Sequence, residues 1–200
     1  MACNDIALLE AARGGDAAAL EDLLKRYQDK VYNLALRFTG DAGEAEEVLQ
    51  ETFLKVFRNL ESFRGDSAFS TWLYRIAHNE ALMRQRTRRR HPEESLESLL
   101  PRYNKSGRLE RLDLDYGRAA SADELLEKRE LREKTFGAIA RLPEIYQAPL
   151  ILRDMGELST EETAEILGIK AEAVRTRLHR ARLMLRGFLG RISGGEEDGN

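Results

Sequence analysis

The densest recognition chemistry in the chain lies near its C-terminus. Arg175, His179, Arg182 and Arg186 recur at i, i+4, i+7 and i+11, with Thr176 and Arg180 beside them. On a helix that spacing gathers them on one side. Guanidinium groups pair with phosphates and with guanine edges, and a threonine offers a hydroxyl to phosphate or a methyl to thymine. Val174, Leu178, Ala181 and Leu185 take another side, which predicts a buried face. A basic face also occurs on ordinary solvated helices, so what precedes it decides the reading. Ser159-Thr160-Glu161-Glu162 has the form of a capping box, Ala164, Ile166 and Leu167 follow, and Gly168 fits a tight turn. This is helix-turn-helix spacing, and it predicts that the second helix reads duplex DNA. Arg177 falls on the flank of the apolar stripe.

A second cluster combines aromatic, polar and basic residues. Residues 61 to 79 hold Phe63, Arg64, Phe69, Trp72, Tyr74 and Asn79, and the run Arg84 to His91 contains no acid. Stacking rings with polar and positive groups suit single-stranded nucleic acid. Phe69, Trp72, Leu73 and Ile76 fit a core stripe, whereas Phe63, Arg64 and Asn79 do not and are the candidate site residues. Just upstream, a helix over 44–60 is expected to bury Ala45, Val48, Leu49, Thr52, Phe53, Val56, Phe57 and Leu60. That stripe leaves Glu47, Gln50, Glu51, Leu54 and Arg58 on another side. Leu54, an apolar residue among polar ones, marks a docking patch for a protein partner.

Composition bounds the rest. The 200 residues carry a net charge of −3, with 42% apolar and 34% charged side chains. The basic stretches are local, set against acidic ones around Glu44–Glu51 and Glu157–Glu165. Such segregation fits a protein that touches DNA in two places without gripping it strongly alone. The acids form no convergent set with histidine and no glycine-rich phosphate loop is present, so no enzyme and no cofactor are expected. The histidines lie far apart and the one cysteine, Cys3, has no partner, so no metal site or disulfide is expected. With neither a long apolar run nor a secretion signal, the chain is expected to stay in the cytoplasm without inserting into a membrane.

The elements that must position these residues are all helical. The sequence predicts an all-α fold of two helical domains, 1–91 and 123–192, joined by a linker at 92–122 and followed by a disordered tail at 193–200. The first long helix carries Leu20, Leu23, Leu24, Tyr27, Val31, Leu34, Ala35 and Phe38 on one face, capped by Asp16 and ended by Gly40. Asp41 opens the next, with Glu44 as its box partner. Ser67 or Ser70 is expected to cap a third that runs to about Arg90 and stops at His91-Pro92. Helix is expected to resume near Ser121, break at Pro143, and continue over about 144–155, 160–167 and 171–189.

Three blocks of this sequence resemble extracytoplasmic-function sigma factors of bacterial RNA polymerase. They are Asp41 to Phe63, Phe63-Arg-Gly-Asp-Ser-Ala-Phe-Ser-Thr-Trp-Leu-Tyr-Arg-Ile-Ala, and Leu142-Pro143 through Arg182, which holds Ala-Val-Arg-Thr-Arg-Leu-His-Arg-Ala-Arg. The resemblance implies a first domain (region 2) that binds the polymerase clamp and opens the promoter −10 element. It implies a second (region 4) that reads the −35 element and meets the flap. The linker would thread toward the RNA exit path. By resemblance, Phe63, Arg64 and Gly65 belong to the −10-reading loop, and Asn79 faces the captured base. Arg84, Arg86, Arg88 and Arg89 follow the opened strand. Arg175, Thr176, His179, Arg180 and Arg182, with Arg186, face the −35 duplex. Glu47, Gln50, Glu51, Leu54 and Arg58 meet the clamp. An anti-sigma factor is the further partner implied. Glu80 departs from the pattern: it falls in the core stripe and is expected to pair with Arg84 at i+4. Met83 and His179 also depart, so no promoter sequence carries over from a relative. An ordinary helix-turn-helix regulator is the alternative. It explains 159–186 but not 41–79.

Overall fold

The computed structural model describes residues 2–90, 131 and 134–194. The expected linker, the restart near Ser121, the His91-Pro92 stop and most of the tail lie outside the described residues. Among those described there is no strand. The helices are α1 (Ala2–Arg13), α2 (Ala17–Thr39), α3 (Ala42–Asn59), α4 (Phe69–Arg90), α5 (134–140), α6 (Glu144–Leu150), α7 (Thr160–Leu167) and α8 (Ala171–Gly194). A short 3₁₀ turn, Leu60–Ser62, follows α3.

In the first half, α2, α3 and α4 pack on one another and α1 lies on α2. Their shared core is Leu23, Val31, Val48, Val56 and Leu73, all essentially sealed from solvent. Local chemistry sets the ends. Asp16 accepts from the backbone N–H groups of Ala18 and Ala19, and Asp41 accepts from Glu44 at 2.8 Å. The reciprocal half of a capping box at Asp41 is not made, because the Glu44 carboxylate turns to Arg88 instead. Neither Ser67 nor Ser70 starts α4. It begins at Phe69, with the carbonyl of Ala68 accepting from Trp72.

The second half surrounds Ile139, Leu142, Ile151, Leu152, Val174, Leu178 and Ala181. Pro149 sits inside the stretch expected as one helix over 144–155. Proline has no N–H for the preceding turn, and the chain widens into a π-helical turn, Ile151–Met155, closed by Gly156 N–H donating to Ile151 O at 2.7 Å. A Cβ on Gly156 would meet Leu152 O at 2.7 Å, so that close approach requires glycine. Helix α7 has the full capping box at Ser159 and Glu162, and Gly168 ends it at φ 64°. Helix α8 runs on to Gly194, beyond the end expected near 189 and into the first two residues of the expected tail.

Candidate nucleic-acid interface

Helix α8 carries the face expected to read duplex DNA. Val174, Leu178 and Ala181 are buried against the rest of the second half, while Arg175, Thr176, His179, Arg180, Arg182 and Arg186 are all exposed. The buried Ala164 lets α7 cross α8 closely. Several of these side chains are already engaged. Arg175 lies 3.5 Å from Glu161, and Arg180 donates to the Tyr146 hydroxyl at 3.4 Å. Arg182 forks onto Asp154 at 2.8 and 2.6 Å, which holds the guanidinium above its usual pKa. The Thr176 hydroxyl donates to Glu172 O, and the exposed residue keeps its oxygen lone pairs able to accept.

The first half brings the loop and α4 together. Arg64, Gly65 and Asn79 are exposed, as a strand-reading face requires. Phe63 is not: its ring is only 5% exposed. It packs on Phe69 and Trp72 with centroids 6.0 and 5.0 Å apart, and Arg13 of α1 stacks over it at 5.5 Å. The expectation that Phe63 stands outside the core is therefore corrected. A loop aromatic has no helical periodicity to announce its burial. Phe69 and Leu73 are buried and Trp72 and Ile76 half-buried, in line with the core stripe.

The α4 arginines meet carboxylates. Arg84 pairs with Glu47, Arg86 with Glu144 at 2.7 Å, and Arg88 lies 3.6 Å from Glu44 and donates to Thr39 O. Burial raises the Glu44 pKa, opposed by Arg88. Arg89 lies on α4, but its side chain is outside the described residues. Glu80 is buried as expected, yet its partner is Lys55 across on α3, not Arg84. An acid in the core stripe is held by a cation from the facing helix.

On α3, Glu47, Gln50, Glu51, Leu54 and Arg58 share the exposed side, with Leu54 at 44% exposure. Phe57, expected in the buried stripe, is 67% exposed and extends this apolar patch. Its position one residue past Val56, at the edge of the stripe, is the signal that the simple 3, 4 count passes over.

The two halves also touch. Helix α4 packs on α7 and the π-turn on α2. Arg75 donates to Glu165 O at 3.0 Å, Gln85 to Gln147 Oε1 at 3.2 Å, and Arg37 to Met155 O, alongside the Arg86–Glu144 pair. A cavity of about 820 Å³ lies between the halves, lined by Arg13, Tyr27, Phe63 and Gly65 on one side and Gly156 and Glu157 on the other. Arg86 thus faces the other half rather than solvent alone. Among the described residues there is no group of three side chains able to hold a metal, and no helix is long and apolar enough to cross a membrane.

Comparison with known proteins joins these pieces. The sequence pattern of Sigma-70 region 2 matches residues 23–91, and that of Sigma-70, region 4 matches 134–185. The chain is 38% identical to the ECF RNA polymerase sigma-E factor of Escherichia coli (strain K12), covering 90% of this chain and 91% of that protein. It is also 38% identical to that of Haemophilus influenzae, covering 91% and 93%. Two solved structures share the fold at 22% identity. One is CnrH in complex with the cytosolic domain of CnrY, at a TM-score of 0.65 over 94% of this chain and 97% of that one. The other is the sigma factor RpoE in complex with the anti-sigma factor NepR from Bartonella quintana, at 0.61 over 85% and 96%. Region 2 and region 4 in one helical chain, with a near-full-length match to sigma-E proteins, place this protein in the extracytoplasmic-function (ECF) sigma factors of RNA polymerase.

Proposed function

We propose that this sigma factor binds core RNA polymerase through the exposed face of α3 and reads its promoter through α8 and the α4 face. The observation that carries the reading is α8 itself, with a buried stripe on one side and a continuous row of polar and basic groups on the other. Arg175, Thr176, His179, Arg180 and Arg186 face the −35 duplex. Arg182 joins them only by leaving Asp154. Arg64, Gly65 and Asn79 meet the −10 strand, and Arg84, Arg86, Arg88 and Arg89 follow its backbone. Phe63 acts from beneath, as part of the ring cluster that shapes the loop. Leu54 and Phe57, flanked by Glu47, Gln50, Glu51 and Arg58, form the clamp-docking patch, and region 4 meets the flap.

No covalent chemistry falls to this chain. Its work is to offset the cost of unpairing and unstacking the −10 bases with contacts to the displaced strand. An anti-sigma factor is the further partner, as in the Bartonella complex. It would restrain the chain until it is needed.

Arg175→Ala tests the assignment. Transcription from a −35-dependent promoter should fall at least about tenfold, the cost of losing one good base contact. Affinity for core polymerase should be unchanged. Loss of core binding in this variant would contradict the role given to α8.

A further inference from the structure

We propose that Asp154 sets the specificity of region 4 by withholding Arg182 from the DNA backbone. Asp154 lies on the π-turn, a segment fixed by the Gly156-to-Ile151 hydrogen bond. Both its oxygens take the Arg182 fork, Nε at 2.8 Å and an Nη at 2.6 Å. Arg182 follows Arg175 at i+7 on the exposed side of α8, and its side chain is 55% exposed. It therefore lies within reach of a duplex on that face. A phosphate offers guanidinium the same two-oxygen geometry as a carboxylate. Exchanging one for the other gains little, so Arg182 adds little to binding that ignores sequence. The neighbouring groups differ. Among the described residues, Arg175 pairs at 3.5 Å with an exposed carboxylate, and Arg180 donates to a neutral hydroxyl. Both stay ready for base edges. The consequence is a recognition helix whose sequence-independent affinity is held down while its base contacts are not, which raises discrimination. The pair lies within one half of the molecule, so it does not depend on how the two halves are arranged.

This inference rests on α8 being the −35 helix, and the experiment separates the two. Binding of the full-length free protein to a −35 duplex and to a scrambled duplex of equal length is followed by fluorescence anisotropy across a salt series. Asp154→Asn should bind both duplexes more tightly, with a slope of log affinity against log salt steeper by about 0.9, one added phosphate contact. Its preference for the −35 duplex should fall. Asp154→Glu should keep the wild-type slope, and D154N combined with R182Q should lose the gain. The double variant separates release of Arg182 from the mere loss of a negative charge near the duplex. Thermal melting identifies the folded variant to be read, with Asp154→Ser replacing D154N if the latter melts early. An unchanged slope in a folded variant overturns the proposal. Arg175→Ala runs alongside: if it leaves the −35 preference intact, the reading of α8 itself fails. If it abolishes that preference while D154N changes nothing, the role of Asp154 alone fails.

Discussion

His78 shows how much one buried group decides. It is 6% exposed on α4, its ring lies 5.0 Å from that of Phe38, and its Nδ1 has no hydrogen-bond partner among the described residues. Burial drives its pKa down to about 4, with Glu144 opposing and Arg86 reinforcing the shift. The neutral imidazole is the form the fold accepts. In the unfolded chain the group titrates near 6.5, so its contribution is fully present above that pH and is lost as pH falls toward 4. The linked loss is on the order of 3 kcal/mol. Denaturant midpoints at about pH 7 and about pH 5 should therefore differ, and His78→Leu should flatten the difference. An equal acid loss in the variant would assign the effect to other groups. Phe57 belongs to the same scale. An aromatic ring 67% exposed contributes little to folding, so Phe57→Asp should leave the melting temperature near its wild-type value. Affinity for core polymerase should drop at least about tenfold, as for a central residue of an interface. Unaltered affinity in a pull-down titration would remove α3 from the docking face.

Within each element, the helix ends add to the stability that the buried stripes supply. The Ser159 hydroxyl and the Glu162 carboxylate satisfy donors at the start of α7, against which α8 packs. Ser159→Ala should cost about 1 kcal/mol, read as a lowered denaturant midpoint. No change would mean the box is not formed in solution. The same ends explain what could be read from sequence. Asp16, Gly40, Ser159 and Gly168 each have a residue type with one local job, so α2 and α7 were legible to within a residue or two. Helix α1 was not, because its amphipathicity is weak. It is held by Asp5, which bonds Arg26 at 3.1 Å and Tyr27 at 2.6 Å, partners more than twenty residues away. Phe57 was misplaced for a related reason. The buried side of α3 contracts to Ala45, Val48, Thr52 and Val56, and the next position, Phe57, stands exposed. Glu80 was legible as a core acid but not in its partner, since Lys55 reaches it from another helix.

At the scale of the whole molecule, the contacts between halves could not be read at all. Arg86–Glu144, Gln85–Gln147 and Arg75–Glu165 join residues 58, 62 and 90 positions apart, and no local pattern encodes such pairs. On α4, Arg84 and Arg86 are paired with carboxylates of the same molecule, Glu47 within the first half and Glu144 across from the second. On the proposed function, binding of promoter DNA exchanges these contacts. The exposed pairs resist weakly, because solvent and salt screen them.

Run-off transcription over a promoter library, with purified core polymerase in the presence and absence of this protein, is the decisive measurement of promoter-specific initiation by this chain. Initiation is expected only when the protein is added, and only from promoters sharing both a −35 and a −10 element. Tight, sequence-specific binding to duplex DNA by the protein alone, with no core-dependent initiation, would contradict it and leave an ordinary helix-turn-helix regulator.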